Sequence, residues 1–137
     1  MSTIKPRATV LMIKGDSILM IHRFRDGNEY YVLPGGGVEA GETPELATLR
    51  ELKEETSILG KIEQRVADFT DKEGRNHQIF LCTRIAGEPK LSDDSPEKMK
   101  QTETNTYEPK WVEIDSLPSL VIWPEGTKDF LVKQFNL

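Results

Sequence analysis

Residues 34–58, PGGGVEAGETPELATLRELKEETSI, constrain this chain more than any other stretch, because a glycine run passes directly into a helix carrying Glu51, Glu54 and Glu55. Gly35, Gly36 and Gly37 let the backbone bend sharply and approach a ligand that side chains would block, although such a run also serves an ordinary tight turn. Thr43 can accept from the free NH groups of a first helical turn, and Pro44 suits the first helical position, where no donor is needed. The helix is therefore predicted to start at Thr43. Glu51, Glu54 and Glu55 stand at i, i+3 and i+4 and share one arc with small Ala47 beneath it, while Leu46, Leu49 and Leu52 take the other side. Three carboxylates so placed repel one another by roughly a few tenths of a kcal/mol per pair in water, and a divalent cation would compensate them. Taken alone, such a triplet is more often a solvated acidic face.

Around this unit the chain reads as hairpins and strand-to-helix passages. Residues 8–13 and 17–22 are apolar and β-prone about a Lys14-Gly15-Asp16 turn, and read as a mostly buried hairpin. Residues 23–28 form a second turn, and 30–33 a short strand leading into the glycines. Residues 62–69 and 78–85 read as a longer hairpin about a polar turn containing Gly74. From 87 to 109 the composition shifts to Ser, Asp, Glu, Lys, Thr and Pro, which reads as a long surface loop. A strand at 111–114, a turn with Pro118, and an amphipathic helix at 125–135 presenting Phe130, Leu131 and Phe135 to the sheet close the chain. This irregular alternation favours an α/β chain with a mixed sheet flanked by helices.

The 137 residues, 36% hydrophobic, fit one domain spanning 1–137. A net charge of −5 and the lack of a basic run argue against long nucleic acid as a partner. No stretch approaches the roughly 20 apolar residues that span a bilayer, and residues 1–17 lack a signal-peptide core, so the expectation is a soluble, cytoplasmic protein with no membrane partner. The lone Cys82, in the apolar run IFLC, reads as an inert core thiol.

Gly36, Glu42, Arg50, Glu51, Leu52, Glu54, Glu55 and Ile58 stand at the spacings of the Nudix box, with one departure, Ser57 in place of its last glycine. The chain thus resembles the Nudix hydrolases of the MutT-like kind. The resemblance implies an α/β/α sandwich and Mg²⁺-dependent (alternatively Mn²⁺-dependent) hydrolysis of a nucleoside diphosphate linked to another moiety. It implies Glu51, Glu54 and Glu55 as metal ligands, with the Gly35 carbonyl, and Glu51 or Glu54 as the base for the attacking water. A further acidic ligand is expected from the loop before the late strand, where Glu108 is favoured over Glu103. Arg50 joins the catalytic candidates by holding the loop against the helix through Glu42 or Glu51. His22 and His77 read as strand-end or surface residues. Glycine at position 57 would absorb a left-handed backbone that costs other residues roughly 1 kcal/mol, so the helix is expected to end a little later or in another shape near Gly60.

Substrate contacts are expected outside the box, with Arg23, Arg25, Tyr31, Gly36, Gly37 and Phe80 foremost and Phe24, Tyr30 and Trp123 behind them, through stacking on a base and pairing with phosphates. The small size favours a (d)NTP-type nucleotide, standard or oxidised. ADP-ribose, nucleotide sugars and dinucleoside polyphosphates are the alternatives, as is a Nudix-fold module that binds a nucleotide without cleaving it. Both a monomer and a homodimer fit the sequence.

Overall fold

The computed structural model describes residues 4–93 and 95–137. Its centre is β1 (Arg7–Leu11), in which Ala8, Val10 and Leu11 are fully buried, as in a strand covered on both faces. β1 pairs antiparallel with β5 (Gly35–Gly37) on one edge and parallel with β7 (Asn76–Ala86) on the other, and β6 (Leu59–Thr70) follows β7. A second sheet holds β2 (Ile13–Lys14), β3 (Ser17–Arg25), β4 (Asn28–Val32) and β9 (Ile122–Trp123), with β8 (Asn105–Glu113) along the other edge of β3. Helix α1 (Pro44–Thr56) covers one core cluster with Ala47 and Leu52, joined by Ile58 just beyond its end, and a 3₁₀ turn (Ile114–Ser119) and α3 (Thr127–Gln134) cover the other with Leu117 and Leu131. The result is the expected mixed α/β/α layering. Phe130 and Phe135 pack against the second cluster as anticipated.

Three expectations change. The hairpin of residues 8–13 with 17–22 shrinks to the two-residue β2 against β3, because β1 has both its edges occupied by β5 and β7 and the chain changes sheet at Met12. The second turn narrows to Asp26 and Gly27, with φ of 51° and 87°, which allows a two-residue hairpin and leaves Arg23 and Phe24 inside a strand. The loop expected over 87–109 holds a short helix, α2 (Pro96–Lys100), and the first half of β8. Among the described residues β3 is the only strand that β8 pairs with, so its outer edge tolerates both polar side chains and Pro109. Among the described residues no helix is long and apolar enough to cross a membrane.

Helix α1 starts as predicted, with Thr43 Oγ1 accepting from Leu46 N at 3.1 Å. Its buried face carries Ala47, Thr48, Leu52, Glu55 and Thr56, whereas Leu46 turns to solvent at 58% exposure. The helix ends at Thr56 rather than later, because Ser57 itself takes the left-handed conformation at φ 62°. Ser57 Oγ donates to the Lys90 carbonyl at 2.6 Å. Ser57→Gly would relieve about 1 kcal/mol of backbone cost and lose a hydrogen bond of about the same worth, so its unfolding free energy should stay within about 0.5 kcal/mol of the natural protein. Ser57→Ala loses the bond without the relief and should cost about 1 kcal/mol in urea denaturation. Equal losses in the two variants would contradict this account.

Cys82 lies in the α1-side cluster, and burial pushes its thiol up to about 12. The native protein should therefore resist a disulfide reagent at pH 8 and react only on unfolding. Native labelling at the rate of a free thiol would refute that assignment.

Candidate active site

Register sets the site. Gly35, Gly36 and Gly37 lie opposite Thr9, Ala8 and Arg7, which wedges β5 between β1 and the acidic face of α1. A Cβ on Gly35 would meet the Ala8 carbonyl and, at 2.6 Å, Thr9 Cα; one on Gly36 would lie 2.6 Å from Glu51 Oε1. Gly35 and Gly36 are thus required by close approach. Gly35 N donates to Glu55 Oε1 at 2.7 Å, pinning the helix to the strand. Burial first, and then the charge of Glu51, holds the Glu55 carboxyl well above the usual carboxylate range.

Arg50 ties the loop to the helix. Its Nε and Nη2 donate to the two oxygens of Glu42 at 2.8 and 3.1 Å, Nη1 donates to Glu51 at 3.0 Å and Glu54 at 3.4 Å, and Nη2 also reaches the Gly37 carbonyl at 3.3 Å. Glu42 accepts from Glu39 N as well, and the Arg50 hydrogen bond holds its carboxyl below the usual range. Both pairings proposed for Arg50 therefore form together. Burial raises the Glu51 carboxyl against the pull of Arg50.

A fourth glutamate completes the acidic group. One carboxylate oxygen from each of Glu51, Glu54 and Glu97 lies within 4.8 Å of the others. Glu97 opens α2, where Ser95 caps the helix by accepting from Lys98 N at 3.1 Å. Glu97 Oε1 is buried without a hydrogen-bond partner among the described residues, and burial followed by the charges of Glu51 and Glu54 raises its carboxyl. The loop before α2 is clipped to the end of α1: Lys90 N donates to the Thr56 carbonyl at 2.9 Å and Ser92 N to the Glu54 carbonyl at 3.2 Å. These are carbonyls that a helix terminus leaves free, so the clip satisfies them and directs α2 toward Glu51. An all-oxygen donor set with an orphaned buried carboxylate oxygen fits a hard divalent cation such as Mg²⁺ or Mn²⁺.

The cleft beside this group encloses about 400 Å³ and is lined by Glu51, Glu55 and Glu97, by Arg7, Arg23 and Arg75, and by the rings of Tyr30, Tyr107 and Trp123. Arg23 donates to Asn105 Oδ1 at 2.6 Å and to the Thr106 carbonyl at 3.1 Å, and its guanidinium lies 3.8 Å from the centre of the Tyr107 ring. Of the residues proposed from sequence, the structure brings together Gly35, Gly36, Glu51, Glu54, Glu55, Arg50, Arg23, Tyr30 and Trp123. Four stand elsewhere. Phe80 is 3% exposed inside the core, Tyr31 stacks on His22 at 4.7 Å, Arg25 is exposed at the hairpin end, and Gly37 contributes its carbonyl to Arg50. Glu108 faces away from the acidic group, near His22 Nδ1 at 3.5 Å and Lys110 at 3.7 Å. His77 accepts or donates at 2.8 Å with Asp71 and lines the cleft. Sequence reading missed Glu97, Arg7, Arg75 and Tyr107. Only Glu97 carried a local signal, the Ser95-Pro96-Glu97 helix start.

A family model described as a NUDIX domain matches residues 3–132. The ADP-ribose pyrophosphatase of Methanocaldococcus jannaschii is 39% identical over 92 residues, covering 61% of this chain and 53% of that protein. The RNA pyrophosphohydrolase of Roseobacter denitrificans is 37% identical over 68 residues, covering 49% of this chain and 42% of that one. The matches thus span about half the length of these curated relatives. Among solved structures, a MutT from the study of Aliivibrio salmonicida and Vibrio cholerae superposes with a TM-score of 0.73 at 21% identity over 97% of both chains. A NUDIX hydrolase from Nitrosomonas europaea gives a TM-score of 0.78 at 16% identity over 99% of this chain and 72% of its own. At those identities the likeness is one of fold.

Proposed function

The chain belongs to the Nudix family, and we propose that it is a divalent-metal-dependent pyrophosphohydrolase of small (d)NTP-type nucleotides, standard or oxidised. The observation that carries this reading is the group of Glu51, Glu54 and Glu97 oxygens within 4.8 Å, set beside a cleft with arginines and aromatic rings. Glu51, Glu54 and Glu97, with Glu55 and the Gly35 carbonyl, are the residues that would hold Mg²⁺. When bound there, the ion would offset the charge of the diphosphate and make a coordinated water more acidic. Glu51 or Glu54 takes the proton of the attacking water, whose oxygen bonds to one phosphorus as the bridging P–O bond breaks and two phosphorylated products leave. Arg50 keeps Glu51 and Glu54 aimed, and Tyr30, Tyr107 and Trp123 offer faces on which a base stacks.

Turnover of a panel of ATP, dGTP, 8-oxo-dGTP, ADP-ribose, a nucleotide sugar, a dinucleoside polyphosphate and 5′-triphosphorylated RNA, assayed with Mg²⁺ and then Mn²⁺, tests the proposal. The triphosphates should lead in kcat/KM. Hydrolysis of none of these compounds would overturn it, and tight nucleotide binding by calorimetry without product would establish a binding module instead. Four carboxylates gathered at one place speak against that module, since recognition alone does not call for them.

A further inference from the structure

Arg7 is the least expected side chain in the cleft. It sits on the central strand β1, opposite Gly37 on one side and His77 on the other. Its Nε is buried with no hydrogen-bond partner, and its guanidinium forms no salt bridge among the described residues. Glu55 and Glu51 act on it only through space, and a second cation, Arg75, acts against it. Arg7 is half-buried, and holding an arginine there without a partner costs desolvation, to which a neighbouring arginine adds repulsion. Arg75 comes from the turn before β7, where its backbone N donates to Asp71 Oδ1 at 2.9 Å, and its side chain makes a single hydrogen bond among the described residues, from Nε to the Lys5 carbonyl at 3.0 Å. That bond orients its guanidinium and leaves the outer nitrogens available. Both arginines line the cleft that also holds Glu51, Glu55 and Glu97.

Two guanidinium groups with unused donors, held on strand and turn backbone, match the oxygens of a phosphoryl group through paired hydrogen bonds. The acidic group repels such an anion unless a cation intervenes, whereas the arginines attract it directly. We propose that Arg7 and Arg75 form a subsite for a phosphoryl group of the substrate other than the one attacked, so that nucleotides with a free terminal phosphate are preferred over those whose diphosphate is capped by a sugar. This rests on the pyrophosphohydrolase reading and narrows its substrate class. It makes Arg7 and Arg75 specificity residues, not participants in proton transfer.

The test uses Arg7→Met, Arg7→Lys and Arg75→Gln in the full chain. With Mg²⁺ present, kcat/KM for ATP should fall about tenfold or more in Arg7→Met and Arg75→Gln, while that for ADP-ribose stays within about twofold. Arg7→Lys should fall between the natural protein and Arg7→Met. Because Arg7→Met removes a half-buried, unpaired charge while keeping an apolar stem, its Tm should equal or exceed that of the natural protein. Equal losses for ATP and ADP-ribose, or no loss for either, would overturn the subsite. A lowered Tm with equal losses would assign Arg7 to structure, and Arg75→Gln, altering a half-buried turn residue, would then decide alone. Calorimetry with inorganic tripolyphosphate and no metal keeps the two claims apart. If no compound is hydrolysed, the enzymatic reading fails, yet binding at least about tenfold tighter to the natural protein than to Arg7→Met still supports the subsite, and equal binding overturns it.

Discussion

Glu54→Gln is expected to lower kcat for the preferred nucleotide by about a hundredfold or more while leaving the fold intact. The substitution keeps shape and volume but removes one of the anionic oxygens that lie within 4.8 Å of those of Glu51 and Glu97. Groups that merely support a metal ligand are typically worth about 10- to 100-fold, so a ligand belongs at or above the top of that range. Stability should barely change. The bond from Arg50 to Glu54 is long, at 3.4 Å, and the Glu54 side chain is 34% exposed, so its loss costs under about 1 kcal/mol. Removing a charge from a repelling group offsets part of that. Turnover at saturating Mg²⁺ together with a thermal melt would check both halves. Undiminished turnover in this variant would remove the carboxylate group from the mechanism.

Arg50→Lys should damage both activity and stability. A lysine supplies one compact charge where the guanidinium engages both oxygens of Glu42, at 2.8 and 3.1 Å, together with Glu51 and the Gly37 carbonyl. The loss of these charge-assisted bonds on a partly buried side chain should cost about 2–3 kcal/mol. Misaligned glutamates should lower kcat about 10- to 100-fold, with KM moving less. The pH dependence follows from Glu42, whose carboxyl Arg50 holds below the usual range. A carboxylate lowered in the fold stabilises it above the unfolded value and ceases to do so as pH falls through the folded one. The gap between natural protein and variant, measured by urea denaturation, should therefore be full at pH 7 and shrink below about pH 4. A gap that widened toward acid would show that Glu42 is not the partner that matters.

Sequence legibility followed how local each determinant is. The start of α1 was readable because Thr43, Pro44 and the glutamate spacing act within a few residues. The partners of β1 were not, since Ala8, Val10 and Leu11 are buried on both faces and pair with strands far along the chain. Phe80 looked like a stacking residue because nothing in an apolar run says which side of the sheet an aromatic faces; the structure puts it in the core. Nearness to the late strand favours Glu108 over Glu103 and leaves Glu97 out, but β8 starts early enough to make Glu108 a strand residue turned toward His22. Arg7 stands just before an apolar run and carries no local signal of a role. Only the convergence of β1, β5 and β7 buries it, and that convergence is invisible to local pattern.

The clip between α1 and the segment after β7 sets a ruler for change. Ser92 N is tied to the Glu54 carbonyl, and Glu97 follows five residues on, so the chain length between those two points determines whether Glu97 reaches Glu51 and Glu54. Residues 98–104 lie beyond that span and connect onward to β8. Insertions there can reshape the rim around Tyr107 and leave the acidic group assembled, whereas a single residue added between 92 and 97 displaces it. Substrate preference and metal-binding capacity are thereby written on adjoining but separable lengths of one surface segment, and a lineage can revise the first without forfeiting the second.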